Sequence, residues 1–474
     1  MMKNKGFLTV FIAACLVMCL IPFGCMIFAR TDTTTENKRL KEFPSVTTKD
    51  GALNTDMLKD MGAYFEDHFA FRQQLVTADA EVQSNVFQVS NVDTVLKGQN
   101  GWLYYQATLD DYLGKTMSER AIRNVAHNLA VMQRYVESKG AKFLFAVAPN
   151  KNSLYGDNMP YYDQVKAGDV RNHDLLEPKL TEEKIHYLDL FTLFEEQDEI
   201  LYLKRDSHWN NKGAMMVYNA MLDTLGKAHD DFSTAEVKRT KTEYGDLNKM
   251  LYPMTAEPEW NYYYTLPEAY EFKSKTKSVE DAWIETENPK AKGTLLMYRD
   301  SFGNTLIPIL SEAFGKADYS KMMPYDLAAD LDRCKPEYVI VEKVERNLIE
   351  FAEDPPVLPA REITLSVSPE EGETAATVTV EEPESNMTYW LFSGTVDPSA
   401  IKEDSEICLT LKTSAGEKTY EVFYTVKEDS DYGFAAYLPK AALTDDTVQA
   451  EVIVQNGKTA NTVCSVPLSI PNAQ

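Results

Sequence analysis

Asp206 and His208 stand two residues apart in Arg205-Asp206-Ser207-His208-Trp209-Asn210, and Ser301 stands in Arg299-Asp300-Ser301-Phe302-Gly303. A free serine is a weak nucleophile that needs an adjacent base, and a carboxylate behind a histidine fixes its tautomer and steadies the imidazolium. These are the parts of a nucleophilic acyl-transfer site, in the order Asp, His, Ser. In an extended backbone, positions i and i+2 point the same way, so Asp206 and His208 are expected to face one pocket. Backbone N–H groups near Ser301, at a helix start, are candidate oxyanion donors, and Asn150 is a candidate second donor. Trp209 and Arg299 complete the candidate oxyanion or substrate-binding set. Each residue also has a plain alternative. Asp-Ser before a helix is a common N-cap, and an Asp-x-His pair in a loop can be scaffolding. Asn150 suits a turn, Trp209 suits packing, and Asp300 suits a turn or cap.

The elements around these residues alternate. Thr116-x-x-Glu119 predicts a capping box, and Ile122, Val125, Leu129, Met132 and Val136 recur at helical spacing up to Gly140. Phe143-Leu-Phe-Ala-Val147 reads as a buried parallel strand ending in Pro149-Asn150-Lys151. A strand is predicted over 185–190, a helix over 211–225, a strand over 294–298, a helix over 304–314 weakened by Pro308, and a strand over 338–341. A further helix is predicted over 63–78. The expected fold class is α/β with a mostly parallel sheet. Ligands in such sheets bind at the carboxyl ends of the strands, where Asn150 and Ser301 both fall. After Pro355, Pro356 and Pro359 the chain turns to Thr, Val and aromatic runs punctuated by turn residues. Residues 361–474 read as an all-β sandwich, with Tyr420–Val426 as one of its strands. The aromatic-dense segment Trp260-Asn261-Tyr262-Tyr263-Tyr264 reads as a β-rich insertion packing on itself, with sugar recognition as the alternative. Gly245-Asp246-Leu247 either lines the cleft or forms a turn.

Composition excludes several classes. Against 48 Lys and Arg stand 73 Asp and Glu, a formal net charge of -25. That argues against nucleic acid and against an anionic membrane surface as the main partner. From Phe7 to Ala29 no residue is charged, and such a helix spans a bilayer. Lys3 and Lys5 precede it, which keeps the N-terminus cytoplasmic and places the bulk of the chain outside the membrane. A cleaved signal peptide is the rival reading. The expected organisation is an anchor at 1–30, a polar stalk at 31–60, an α/β domain at 61–350, a Pro-rich linker at 351–360 and the β-sandwich at 361–474. Of six cysteines, three (Cys15, Cys19, Cys25) lie in the apolar segment, and Cys408 and Cys464 either pair or remain buried thiols. No cysteine or histidine spacing suggests a metal, and no cofactor is expected.

Asp206-Ser207-His208-Trp209-Asn210, preceded by Leu188-Asp189-Leu190 and followed by Lys212-Gly213, resembles the Asp-x-His-Trp signature of the DHHW proteins. These are similar to the alginate O-acetyltransferase group, whose SGNH-hydrolase-like domain is circularly permuted. Asp300-Ser301-Phe302 resembles the family's nucleophile block. Gly98-x-x-Gly101-Trp102-Leu103-Tyr104, Pro149-Asn150-Lys151-x-x-x-Tyr155 and Phe65-Glu-Asp-His-Phe69 with Arg72 resemble further family stretches. The resemblance covers residues 60–350 and implies Asp206, His208 and Ser301 as a triad. It implies extracytoplasmic O-acetylation or de-acetylation of a cell-envelope or exported polysaccharide, with a membrane-bound O-acyltransferase as acetyl donor. A non-catalytic, membrane-anchored glycan-binding scaffold is the alternative. The chain departs from the family at Arg299, where a glycine is usual, and at Ser207, where His or Thr is usual.

Overall fold

Strand residues 142–148 carry one lysine followed by six apolar side chains, and the six are buried on both faces. In the computed structural model, which describes residues 3–31, 40–48, 51–275, 277–383, 388–427 and 430–471, this strand lies near the edge of a seven-stranded sheet. Across the sheet the order is Tyr187–Leu188, Lys142–Ala148, Tyr338–Val344, Thr294–Tyr298, Lys316–Ser320, Trp283–Glu287 and Glu271–Phe272. The first five are parallel to one another, and Trp283–Glu287 pairs antiparallel with both of its neighbours. Alternation divides the side chains between two cores. Phe143, Phe145, Leu296 and Val339 face the helices Glu119–Ser138, Asn172–Glu182 and Leu327–Cys334. Leu144, Ala146, Leu295 and Ile340 face Asn211–Thr224 and Ile307–Ala313. The domain is an α/β fold with helices on both faces of a mostly parallel sheet.

The later strands form two sheets. One has six strands, with Glu406–Thr413 and Thr447–Asn456 at its centre; the other has four, centred on Tyr389–Thr395 and Ser430–Pro439. Trp390, Phe392 and Phe434 of the second share one core with Ile407, Leu409 and Val452 of the first, so the two sheets make a sandwich. The single strand expected at 420–426 is two strands. Gly416–Glu421 belongs to the six-stranded sheet and Phe423–Lys427 to the four-stranded one, and the chain crosses between them at Val422. Cys408 and Cys464 are free and buried. They flank Thr447–Asn456, opposite Ile453 and Val452 respectively, so an intervening strand and opposite faces keep them apart.

Three further expectations move. The helix predicted at 63–78 is two helices, Met57–His68 and Arg72–Val82, broken at Phe71, whose φ of 62° is left-handed. The long helix Glu119–Ser138 is capped by Ser118, whose Oγ accepts from Ala121 N, and not by Thr116. After Ser301 a 3-10 turn, Phe302–Thr305, precedes the helix Ile307–Ala313, which begins just before Pro308 because proline is tolerated only in a first turn. At the N-terminus, Lys3–Ala29 is one helix. Its segment Gly6–Ala29, whose most apolar 18-residue stretch has a mean hydropathy of 2.7, is long and apolar enough to cross a membrane. Part of the expected stalk, residues 32–39 and 49–50, lies outside the described residues.

Helix Glu119–Ser138 buries its expected apolar stripe and also much of its polar face. Arg120, Asn124, His127 and Asn128 are all buried. Asn128 Nδ2 donates to the carbonyls of Phe351 and Tyr424 at 2.8 Å each, and its Oδ1 accepts from Tyr424 N at 2.9 Å. His127 Nε2 lies 2.9 Å from Val422 O, and its ring stacks on Tyr424. Arg120 bonds the carbonyls of Glu403 and Ser405. The sandwich is therefore joined to the α/β layer through buried polar groups. Asn128 is paired at both ends of its amide, while Arg120 Nε and Nη2 and Asn124 Oδ1 have no hydrogen-bond partner among the described residues. Paired groups of this kind are costly to separate.

Candidate active site

The turn that carries Asp206 and His208 is closed by an antiparallel bridge between Tyr202 and Trp209. Leu203 N donates to His208 O, and Asn210 N to Leu201 O. Within it Asp206 Oδ1 accepts from the backbone N–H of His208 at 2.9 Å and lies 2.6 Å from its Nδ1. This is an Asx-type turn. The expected shared pocket is met, but a side-chain-to-backbone bond brings the pair into direct contact, in place of strand alternation. Asn210 then caps the helix Asn211–Thr224, its Oδ1 accepting from Lys212 and Gly213 N–H.

His208 Nε2 lies 2.8 Å from Ser301 Oγ. Ser301 follows the carboxyl end of Thr294–Tyr298, and its turn is set by Asp300, whose two oxygens accept from Phe302 N at 2.8 Å and Val344 N at 2.7 Å. Asp300 is thus a turn-and-cap residue. With Nδ1–H donated to Asp206, the Nε2 lone pair faces the serine hydroxyl, the tautomer a general base needs. The Ser301 backbone N–H bonds no other group among the described residues.

The turn is held from below by residues distant in sequence. Lys151, 3% exposed, donates to the carbonyls of Leu203, Lys204 and Asp206 at 3.2, 2.9 and 2.5 Å. Its ammonium also lies over the rings of Trp102 and Tyr104. Glu259 accepts from Lys204 N and Arg205 N at 3.0 and 2.7 Å. Gly245 packs so closely on the turn that a Cβ there would sit 2.2 Å from Arg205 O. That approach delivers Asp246, whose N–H donates to Asp206 Oδ2 at 2.9 Å. Asp246 accepts in turn from Ser207 N and Ser207 Oγ at 2.8 and 2.5 Å, which completes an acid–histidine–acid cluster. Of the two alternatives for Gly245-Asp246-Leu247, Asp246 lines the cleft; Lys151 had no signal beyond its place beside Asn150.

Burial works to raise Asp206, but the His208 charge and the N–H groups of Asp246 and His208 outweigh it and hold the carboxyl down at about 2. Burial works to lower His208, and Asp206 first, then Asp246 and Asp300, overcome this and push the imidazole up to about 9. Burial pushes Lys151 down to about 8 against the pull of Asp206.

Ser301, His208, Asp206 and Asp246 open into one cleft of about 970 Å³, which Tyr105, Tyr244, Lys249 and Arg346 also line. Three other expected residues support the cleft without offering a free group to it. Asn150 is fully buried, with Nδ2 on Asp111 at 2.9 Å and its N–H on Glu345 at 3.1 Å. One intervening strand, Tyr338–Val344, separates its strand end from that of Ser301. Arg299 is also fully buried. Its guanidinium bonds the carbonyls of Val279, Asp281 and Asp300 and the Asn304 side chain, and so holds the cleft wall from behind. Its stem lies 2.7 Å from where a Cβ on Gly303 would be, so the two residues fit only as a pair. Trp209, 1% exposed, donates Nε1–H to Thr305 Oγ1 and packs on Phe194 and Phe302. The aromatic segment forms the hairpin Val237–Glu243 with Glu259–Tyr264; Asn261 is buried and accepts from Asn211 N, while Trp260 remains exposed.

Residues 95–291 match a family model described as the SGNH hydrolase-like domain of acetyltransferase AlgX, a match that ends short of Ser301. No curated protein matches the chain. Among solved structures, PatB1 of Bacillus cereus is 18% identical with a TM-score of 0.44, covering 54% of this chain and 96% of that one. A DHHW family protein from Eubacterium siraeum is 14% identical with a TM-score of 0.38, covering 47% and 85%. The O-acetyltransferase domain of Pseudomonas putida AlgJ is 14% identical with a TM-score of 0.38, covering 54% and 92%.

Proposed function

We propose that this chain, whose residues 95–291 match the SGNH hydrolase-like domain of acetyltransferase AlgX, is a serine-dependent enzyme. It transfers O-acetyl groups to, or removes them from, a cell-envelope or exported polysaccharide. The observation that carries this reading is the unbroken hydrogen-bond chain from Asp206 through His208 to Ser301 in an open cleft. Ser301 Oγ attacks the acetyl carbonyl while Nε2 takes its proton. The unpartnered Ser301 N–H is positioned to bond the oxyanion. Nε2 then protonates the leaving group, and acetyl-Ser301 remains. A sugar hydroxyl, for transfer, or water, for hydrolysis, gives its proton to Nε2 and attacks the acetyl carbon, and as the ester bond to Ser301 breaks Nε2 returns the proton to Oγ. The helix Lys3–Ala29 anchors the protein, with the catalytic domain outside the membrane and a membrane-bound O-acyltransferase supplying acetyl groups.

A serine-directed sulfonyl fluoride is expected to label Ser301, as read by peptide mass mapping, and His208→Ala is expected to lose that labelling. A wild-type protein left unlabelled would favour a non-catalytic glycan-binding scaffold. A pH dependence also follows. The base must be neutral, and its carboxylate neighbours favour the charged form, so kcat/KM for a small acetyl ester rises with pH. Its acid-limb midpoint lies well above the ordinary 6.5 of histidine, towards 9. A midpoint at or below 6.5 would contradict this.

A further inference from the structure

We propose that Asp246 is a second carboxylate of the His208 relay, a positioning residue that orients the imidazole through Ser207 and shares with Asp206 the charge His208 acquires when it takes a proton. The proposal rests on His208 acting as the base for Ser301.

Asp246 Oδ2 lies 3.8 Å from His208 Nδ1, and Ser207 Oγ stands between them, 2.5 Å from the carboxylate and 3.2 Å from Nδ1. Asp246 Oδ1 holds the Ser207 N–H at 2.8 Å, so both of its oxygens are committed to the residue that precedes the histidine. Its own N–H occupies Asp206 Oδ2, leaving Asp206 Oδ1 for the imidazole. One residue therefore controls the free oxygen of the first carboxylate and supplies the second. Two carboxylates this close to each other disfavour mutual ionisation unless a positive charge forms beside them. That charge is the imidazolium of the acylation step. The charged groups facing His208 are Asp206 and Asp246 on the Nδ1 side and Asp300 on the Ser301 turn. Lys151 lies behind Asp206, bonded to its carbonyl, and Lys249 stands on the helix Asp246–Leu251. Gly245 belongs to the same device, since any side chain there would push residue 246 away from Asp206.

The experiment is an NMR titration of His208 in full-length wild type and in Asp246→Asn, alongside the kcat/KM pH profile on a small acetyl ester. The amide side chain of that variant keeps the size and an acceptor for the Ser207 N–H but loses the charge. The His208 titration midpoint and the acid limb are both expected to fall by about one unit. In an Asp206→Asn background, adding Asp246→Asn is expected to remove a further tenfold or so of the residual turnover. A midpoint in Asp246→Asn equal to wild type overturns the proposal, because a merely structural residue would lower stability and leave the titration in place. If Asp246→Asn does not fold, Asp246→Ser is read against the same two outcomes. Failure of the underlying reading looks different: Ser301→Ala would retain turnover, whereas the NMR midpoint reports on Asp246 whether or not Ser301 reacts.

Discussion

Ser301→Ala is expected to lower turnover of a generic acetyl ester by about 10³-fold or more while leaving the fold in place. The group removed is one hydroxyl, which is bonded to His208 Nε2. Losing a single hydrogen bond of this kind costs about 1 kcal/mol, so urea denaturation of the variant should track the wild type closely. Activity has no such reserve. Without Oγ no acetyl-enzyme forms, and what remains is background hydrolysis by water bound in the cleft. Ester turnover within threefold of wild type would remove Ser301 from the mechanism. Full loss of activity together with loss of cooperative unfolding would leave the variant uninformative, so Ser301→Thr, with its hydroxyl retained, is measured beside it for fold and turnover.

The second large effect is expected at Lys151, away from the reacting atoms. Its ammonium satisfies three backbone carbonyls of the segment that carries Asp206. Lys151→Met fills most of the volume but strands those acceptors in a buried site, a loss of about 3–5 kcal/mol. The variant should show a matching fall in urea midpoint. The freed turn should also shift His208 relative to Ser301, and displacements of about 1 Å cost roughly 10²-fold in rate. Stability within about 1 kcal/mol of wild type would show that water replaces the ammonium at those carbonyls.

What was legible in the sequence divides along the same line. Asp206 and His208 are two residues apart, and an Asx turn is a local bond, so their meeting could be anticipated even though its geometry was not. Ser301 was legible as a residue at the carboxyl end of an apolar strand, and the parallel pairing within one sheet followed from the alternation of strands and helices, whereas the order Lys142–Ala148, Tyr338–Val344, Thr294–Tyr298 rests on long-range pairing. Gly245-Asp246-Leu247 could be marked as cleft or turn, but the bonds that Lys151 and Asp246 make to the Asp206 turn were not legible, because each reaches it from 40 or more residues away along the chain. Asn150 and Arg299 have polar side chains at the right strand ends, but burial turned them inward to Asp111 and to the Val279 and Asp281 carbonyls. Tyr420–Val426 has unbroken β-forming composition, and only the pairing partners on either side reveal the crossing at Val422.

The polar face of helix Glu119–Ser138 sets the order in which the chain can finish folding. His127 finds its carbonyl at Val422, 295 residues later, and Asn128 finds Tyr424 at a separation of 296. At a synthesis rate of about 5–20 residues per second, that interval is roughly 15–60 s. For that time the helix can lay its apolar stripe on the nascent sheet, but its asparagine and histidine must stay hydrated. The first long helix of the α/β layer is therefore completed by some of the last strands to leave the ribosome, and that layer matures only once the sandwich has been born.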